Sequence, residues 1–148
     1  MCLMLYLGSS EEIPPTSTPD LSVRPVDEAR RGVERWFSQP AVRFVGAHTG
    51  CSCGFPSVIA DTPIEYYEGM VLQSDDREAD LRSVRALLAL LREASIRADR
   101  VELYPVGDGD EAKPPKGRIE WQLDALEPER LFFNEGFMHV VHLGKRAV

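Results

Sequence analysis

The sequence predicts an α+β fold: one domain, residues 1–148, built on a mixed, mostly antiparallel sheet of five to seven strands. Two main helices, at about 27–37 and 75–98, are expected on one face of that sheet. Three observations predict this. Short apolar or alternating runs recur along the chain, each too short for a core helix and bounded by turn residues. Two longer stretches instead carry apolar residues at helical spacing. A chain of 148 residues, 43% of them hydrophobic, has apolar material for one real core, and no linker interrupts it.

Residues 2–7 are apolar or aromatic without exception, which predicts a strand buried on both faces. Gly8 to Pro19, rich in Ser, Thr, Pro and Glu, reads as a loop. Leu21 to Val26 alternates up to Pro25, which suits an edge strand because proline cannot donate to a ladder. Asp27 then fits a helix N-cap, with Ala29, Val33, Trp36 and Phe37 on one face and Pro40 closing the helix. Ala41 to Ala47 is the next strand. Thr62, Pro63 and Glu65 mark the start of a short helix that Gly69 ends.

Leu81, Val84, Leu87, Leu88 and Leu91 form a stripe that predicts the long helix from about Asp75 to Ala98, with Asp75 and Glu78 serving its exposed amides. Val101 to Val106 and Ile119 to Leu123 are strands joined by a polar loop. Ile119, Trp121 and Leu123 share one face, and Glu120, Gln122 and Asp124 the other, so the sheet is solvated on one side there. Leu131 to Phe133 and Phe137 to Leu143 are expected to pair as a hairpin across Asn134-Glu135-Gly136.

The formal charge of -7, from 24 acidic and 17 basic residues, repels phosphate backbones and anionic lipid surfaces, so neither nucleic acid nor membrane is an expected partner. The arginines at 30, 31, 35, 82, 85, 92, 97 and 100 are interleaved with acids and read as solvated helix faces. The apolar opening spans only seven residues, without a preceding basic residue, and predicts neither a signal peptide nor a membrane span. Three cysteines, an odd number, fit thiols in a reducing compartment rather than a secreted disulfide framework. Together these features predict a cytoplasmic protein.

The residues that point to chemistry are His48-Thr-Gly-Cys51-Ser-Cys53-Gly-Phe55, with a third thiol at Cys2. Glycines at 46, 50 and 54 let the backbone turn tightly and aim both loop sulfurs at one point. Two thiolates one residue apart can reach a tetrahedral zinc, although two to four intervening residues are usual. His48 offers a nitrogen. Cys2 offers a third sulfur if strands 21–26 and 41–47 run parallel through a helical crossover and the first strand runs antiparallel to them. The expected ligand set is Cys51, Cys53, Cys2 and His48 around one zinc-like ion.

Two other readings of the same residues stay open. One is a redox or nucleophilic thiol activated by His48, although no Ser, Asp or Asn is evidently placed to orient that imidazole. The other is packed free cysteines in a non-enzymatic, acidic interaction module that engages a basic protein partner.

His139 and His142 are three residues apart on a strand, so they point to opposite faces, one toward the core and one toward solvent, and cannot share an ion. Asp108-Gly-Asp110-Glu111 lacks the register of a calcium loop and reads as a solvated hairpin loop. No phosphate loop or nucleophile elbow is present.

Met1-Cys2 with Leu5-Tyr6-Leu7, the Gly50-Cys51-x-Cys53-Gly54-Phe55 loop, Val101-Glu-Leu-Tyr104, Asp108-Gly-Asp110-Glu111 and Pro114-Pro115 together resemble a group of small uncharacterised bacterial proteins. The resemblance runs through most of the chain except 55–74. It implies a bacterial, cytosolic origin and supplies no catalytic residues.

Overall fold

The apolar opening run forms β1 (Leu3–Ser9), the middle strand of a seven-stranded sheet. The computed structural model describes residues 2–64 and 76–144. In chain order the other strands are β2 (Thr16–Ser17), β3 (Ser22–Pro25), β4 (Ala41–Gly46), β5 (Ser57–Val58), β6 (Arg100–Gly107), β7 (Arg118–Gln122), β8 (Phe133–Asn134) and β9 (Met138–His142). The main sheet runs β2-β3-β4-β1-β6-β9-β7 and is antiparallel except for the β7–β9 pair, while β5 and β8 form a separate parallel pair. The fold class is therefore the expected α+β one, at the upper end of the expected strand count.

β1 is apolar throughout because both of its faces are covered. Leu5 and Leu7 point into a core with Val45, Val101 and Leu103, closed by Val84, Leu87, Leu88 and Leu91 of the long helix α1 (Arg77–Ala94). Tyr6 points the other way, into a second core with Phe44, Tyr104, Val106 and Val140, against which Val33, Trp36 and Phe37 pack. Adjacent strand residues face opposite ways. The two helical segments thus lie on opposite faces of the sheet, and the expectation of both on one face is corrected. Each fully buried Leu or Val contributes about 1.5–3 kcal/mol, so the two layers together hold the sheet from both sides.

The first helical segment, Glu28–Trp36, is a 3-10 helix rather than an α-helix. With three residues per turn, Arg30, Val33 and Trp36 align on one face. Val33 is fully buried, Arg30 bonds Glu111, and the Trp36 indole donates to the Glu111 carbonyl at 3.0 Å. Ala29, assigned to the inner face by a 3.6-residue period, is exposed. In α1 the N-cap is Asp76, whose carboxylate accepts from the Ala79 amide at 3.1 Å; Asp75 lies outside the described residues, as does most of the short helix expected from Thr62 to Gly69. The helix ends at Ala94, earlier than the expected Ala98, in a turn that delivers the chain to β6.

Two further expectations are corrected. β8 pairs with β5 rather than forming a hairpin with β9, because Phe133 is drawn into the core against Phe55 and Trp121. The 108–111 loop is not simply solvated. Glu111 is buried, and its carboxylate accepts from Tyr6 Oη at 2.9 Å, Arg30 Nη1 at 2.9 Å and the Gly109 amide at 2.8 Å. Arg30 also pairs with Asp108. A phenol inside an apolar strand needs a buried partner, and Glu111 is that partner.

The two C-terminal histidines separate as their spacing predicts. His142 is partly exposed beside Glu120, and His139 is fully buried among Trp121 and Phe133. His139 Nε2 accepts from the Asn134 amide at 3.1 Å, so its proton sits on Nδ1 and is donated to the Phe137 carbonyl at 3.0 Å. Burial lowers its pKa to about 4. A base whose folded pKa lies below its unfolded value contributes stability in full above the unfolded pKa, about 6.5, and loses it as pH falls toward 4. Denaturation across that window is expected to show a progressive loss approaching about 3 kcal/mol at its acid end. A His139→Gln variant should lack that slope, and an unchanged slope would assign the acid sensitivity elsewhere.

Candidate metal centre

Strand register builds the centre. β1 pairs with β4 antiparallel, Leu5 opposite Val45 and Ser9 opposite Ala41, so the start of β1 lies beside the end of β4, where the cysteine loop begins. The expected route differs in one part. β3 and β4 are antiparallel, Ser22 opposite Gly46, rather than parallel through a crossover. β1 is nonetheless antiparallel to β4, and Cys2 arrives at the loop.

The loop is held by bonds of its own. The Ala47 amide donates to the Cys51 carbonyl at 2.8 Å, and the Gly50 amide to the Ala47 carbonyl at 3.0 Å, closing a tight turn. Gly50 has φ +84°, a conformation open to glycine and strained for most other residues. Ser52, between the two cysteines, is fully buried. Its hydroxyl donates to the Val45 carbonyl at 2.6 Å and accepts from the Leu5 amide at 2.7 Å, while its own amide donates to the Leu3 carbonyl at 3.1 Å. One serine therefore bolts the loop to β1 and to β4. Phe55, 1% exposed and edge-on to Phe133, anchors the far end in the core.

With Ser52 pointing inward, Cys51 and Cys53 on either side point outward and meet Cys2. The three Sγ atoms all lie within 4.8 Å of one another. Cys2 and Cys53 are exposed and Cys51 is partly buried. The thiols are not equivalent. Burial pushes the Cys53 thiol up to about 11, reinforced by its hydrogen bond with Cys51, against the opposing effect of the Leu3 amide, which donates to its sulfur at 3.2 Å. Burial acts in the same direction on Cys51, but hydrogen bonding with Thr49, with the Cys53 backbone and with the other two thiols outweighs it and holds Cys51 below the ordinary thiol value. Of the two loop thiols, Cys51 is thus the first to present a thiolate, the form that binds metals.

His48 is the expected ligand that the structure leaves out of this group. Its ring lies over Gly54, where an added Cβ would come within 2.7 Å of its Cδ2, and its Nε2 pairs with Asp80 Oδ1 at 2.7 Å. Its backbone amide donates to Ser83 Oγ at 3.0 Å. The loop is thereby tied to α1 as well as to the sheet. The missing orienting acid is Asp80, and a signal for it existed: Asp80 and Ser83 share the α1 stripe with Val84 and Leu87, and a carboxylate on a buried stripe requires a partner. Ser52 carries no comparable signal.

If Ser52 is the bolt, Ser52→Ala leaves the Leu5 amide without its acceptor and the Val45 carbonyl without its donor. Chemical denaturation should record a loss of about 1–3 kcal/mol, with faster modification of all three thiols by a small alkylating reagent. Unchanged stability and unchanged thiol reactivity would mean that the loop is held by other contacts.

Comparison of the chain with protein-family models, with curated proteins and with solved structures returns no match, so the chemistry of this centre rests on its own residues.

Proposed function

We propose that the chain binds one zinc-like ion through Cys2, Cys51 and Cys53, with the fourth coordination position turned to solvent. The observation that supports this reading is the convergence of three thiols, from two segments about fifty residues apart in sequence, within 4.8 Å of one another. Thiolate sulfurs sharing an ion at about 2.3 Å each lie roughly 3.8 Å apart in tetrahedral geometry. The three sulfurs, all within 4.8 Å of one another, lie near that separation, and two of the three cysteines are exposed. Soft thiolate donors select zinc or copper(I) over magnesium or calcium. The thiol set contains no hard oxygen donor among the described residues.

Gently purified protein is expected to carry about one zinc per chain, and cobalt(II) added to stripped protein should give the intense near-ultraviolet absorption of thiolate coordination. Losing a direct ligand should cost more than the 10–100-fold typical of a supporting residue. Cys51→Ser and Cys53→Ser are therefore each expected to weaken binding by more than about 100-fold, while His48→Ala retains the stoichiometry. Absence of stoichiometric metal, with no thiolate absorption on adding cobalt, would refute the reading.

A further inference from the structure

Resting on the reading of Cys2, Cys51 and Cys53 as ligands, we propose that the centre is an exchange site, which passes a thiophilic ion to and from a thiol-bearing partner entering at the fourth position. Three observations separate this role from the two usual ones for a cysteine-bound ion.

A structural ion closes four protein ligands around itself and supplies folding energy outright. Here the loop is already secured by the Ser52 bonds to Leu3, Leu5 and Val45, by the Ala47–Cys51 turn and by the buried Phe55 ring. These hydrogen bonds and this packing run between protein atoms on β1, β4 and the core, so the loop's position is fixed by them and the ion is cargo rather than a staple.

A hydrolytic ion needs a nearby group to take a proton from water at the open position. The loop's own imidazole, His48, turns its Nε2 to Asp80 at 2.7 Å and stands outside the group of three sulfurs. The acids beside Cys2 are engaged. Asp108, whose amide donates to the Cys2 carbonyl at 2.8 Å, pairs with Arg30, and Glu111 accepts from Tyr6, Arg30 and Gly109. Among the described residues no carboxylate or imidazole joins the three sulfurs.

The third observation is access. Cys2 and Cys53 are exposed, so an incoming sulfur can approach the ion while the protein still holds it. Exchange then balances without redox change. The incoming thiol loses its proton to solvent as its sulfur bonds the ion and water leaves. The bond to one protein sulfur breaks next, and that thiolate takes up a proton; two further replacements of the same kind, each by another thiol of the partner, release the remaining protein sulfurs and complete the transfer.

The test uses the full chain loaded with cobalt(II). Addition of glutathione, as a small thiol, or of a Cys-x-x-Cys peptide, as a protein-like one, is expected to raise the thiolate absorption by about one third, as three sulfur ligands become four. The rate of cobalt loss to EDTA should rise in proportion to thiol concentration. At equal thiol concentration, faster exchange with the peptide assigns the partner as a protein, and faster exchange with glutathione assigns a small thiol. Stripping the ion should leave the circular dichroism unchanged. A cobalt spectrum and loss rate insensitive to both thiols, or unfolding on removal of the ion, would overturn the exchange role while leaving metal binding intact. Failure of cobalt to bind at all would instead refute the ligand set itself.

Discussion

The antiparallel pairing of β1 with β4 is the constraint on which the thiol centre depends, because neither segment brings three sulfurs together alone. Cys51 and Cys53 belong to a loop that continues β4, and Cys2 immediately precedes β1. With Leu5 opposite Val45, the two chain ends meet. A one-residue slip would turn every β1 side chain to the other face. Such a slip would move Leu5 and Leu7 out of the α1 core and Tyr6 away from Glu111, so the register is specified by burial on both sides at once. Ser52 reads the same register in hydrogen bonds, since its hydroxyl bridges Val45 and Leu5, which face each other across the pair.

The second neighbour of β1 contributes from the opposite side. β6 pairs with β1 so that Leu3 faces Gly107, and the Asp108 amide continues the ladder to the Cys2 carbonyl. The 108–111 loop therefore sits beside the first cysteine, and the Tyr6–Glu111–Arg30 network holds that loop. The polar network on one face of the sheet and the cysteine loop at its end are thus parts of one arrangement around the start of β1. His48, bonded through Asp80 and Ser83 to α1, ties the loop to the helix on the other face.

Much of the fold was legible because burial leaves a periodic trace. The uninterrupted apolar run of β1, the alternation of β7 and the leucine stripe of α1 each follow from the face they cover. Nine residues, Glu28–Trp36, admit both the 3.6- and the 3-residue period, so the local pattern does not separate an α-helix from the 3-10 helix observed. The inward position of Arg30 is set by Glu111, eighty-one residues away. The placement of the two helical segments on opposite faces, and the pairing of β8 with β5, depend on long-range packing that local patterns do not encode. In the centre itself, the turn glycines and the paired cysteines were readable. The direction of β1, on which the arrival of Cys2 depends, is open in the sequence and is settled by its antiparallel pairing with β4. β3 and β4 pair antiparallel rather than through the parallel crossover that the sequence suggests. His48 lay close to the cysteines in sequence, but the loop geometry commits its ring to Asp80.

The central claim is that the ion's protein ligands are Cys2, Cys51 and Cys53 and no others among the described residues. Cadmium-113 NMR of the cadmium-loaded chain tests this most directly, because scalar coupling passes only through coordinate bonds. The account predicts one cadmium resonance in the thiolate-rich range, coupled to the β-protons of Cys2, Cys51 and Cys53. Coupling to the His48 ring protons, or absence of coupling to Cys2, would contradict it.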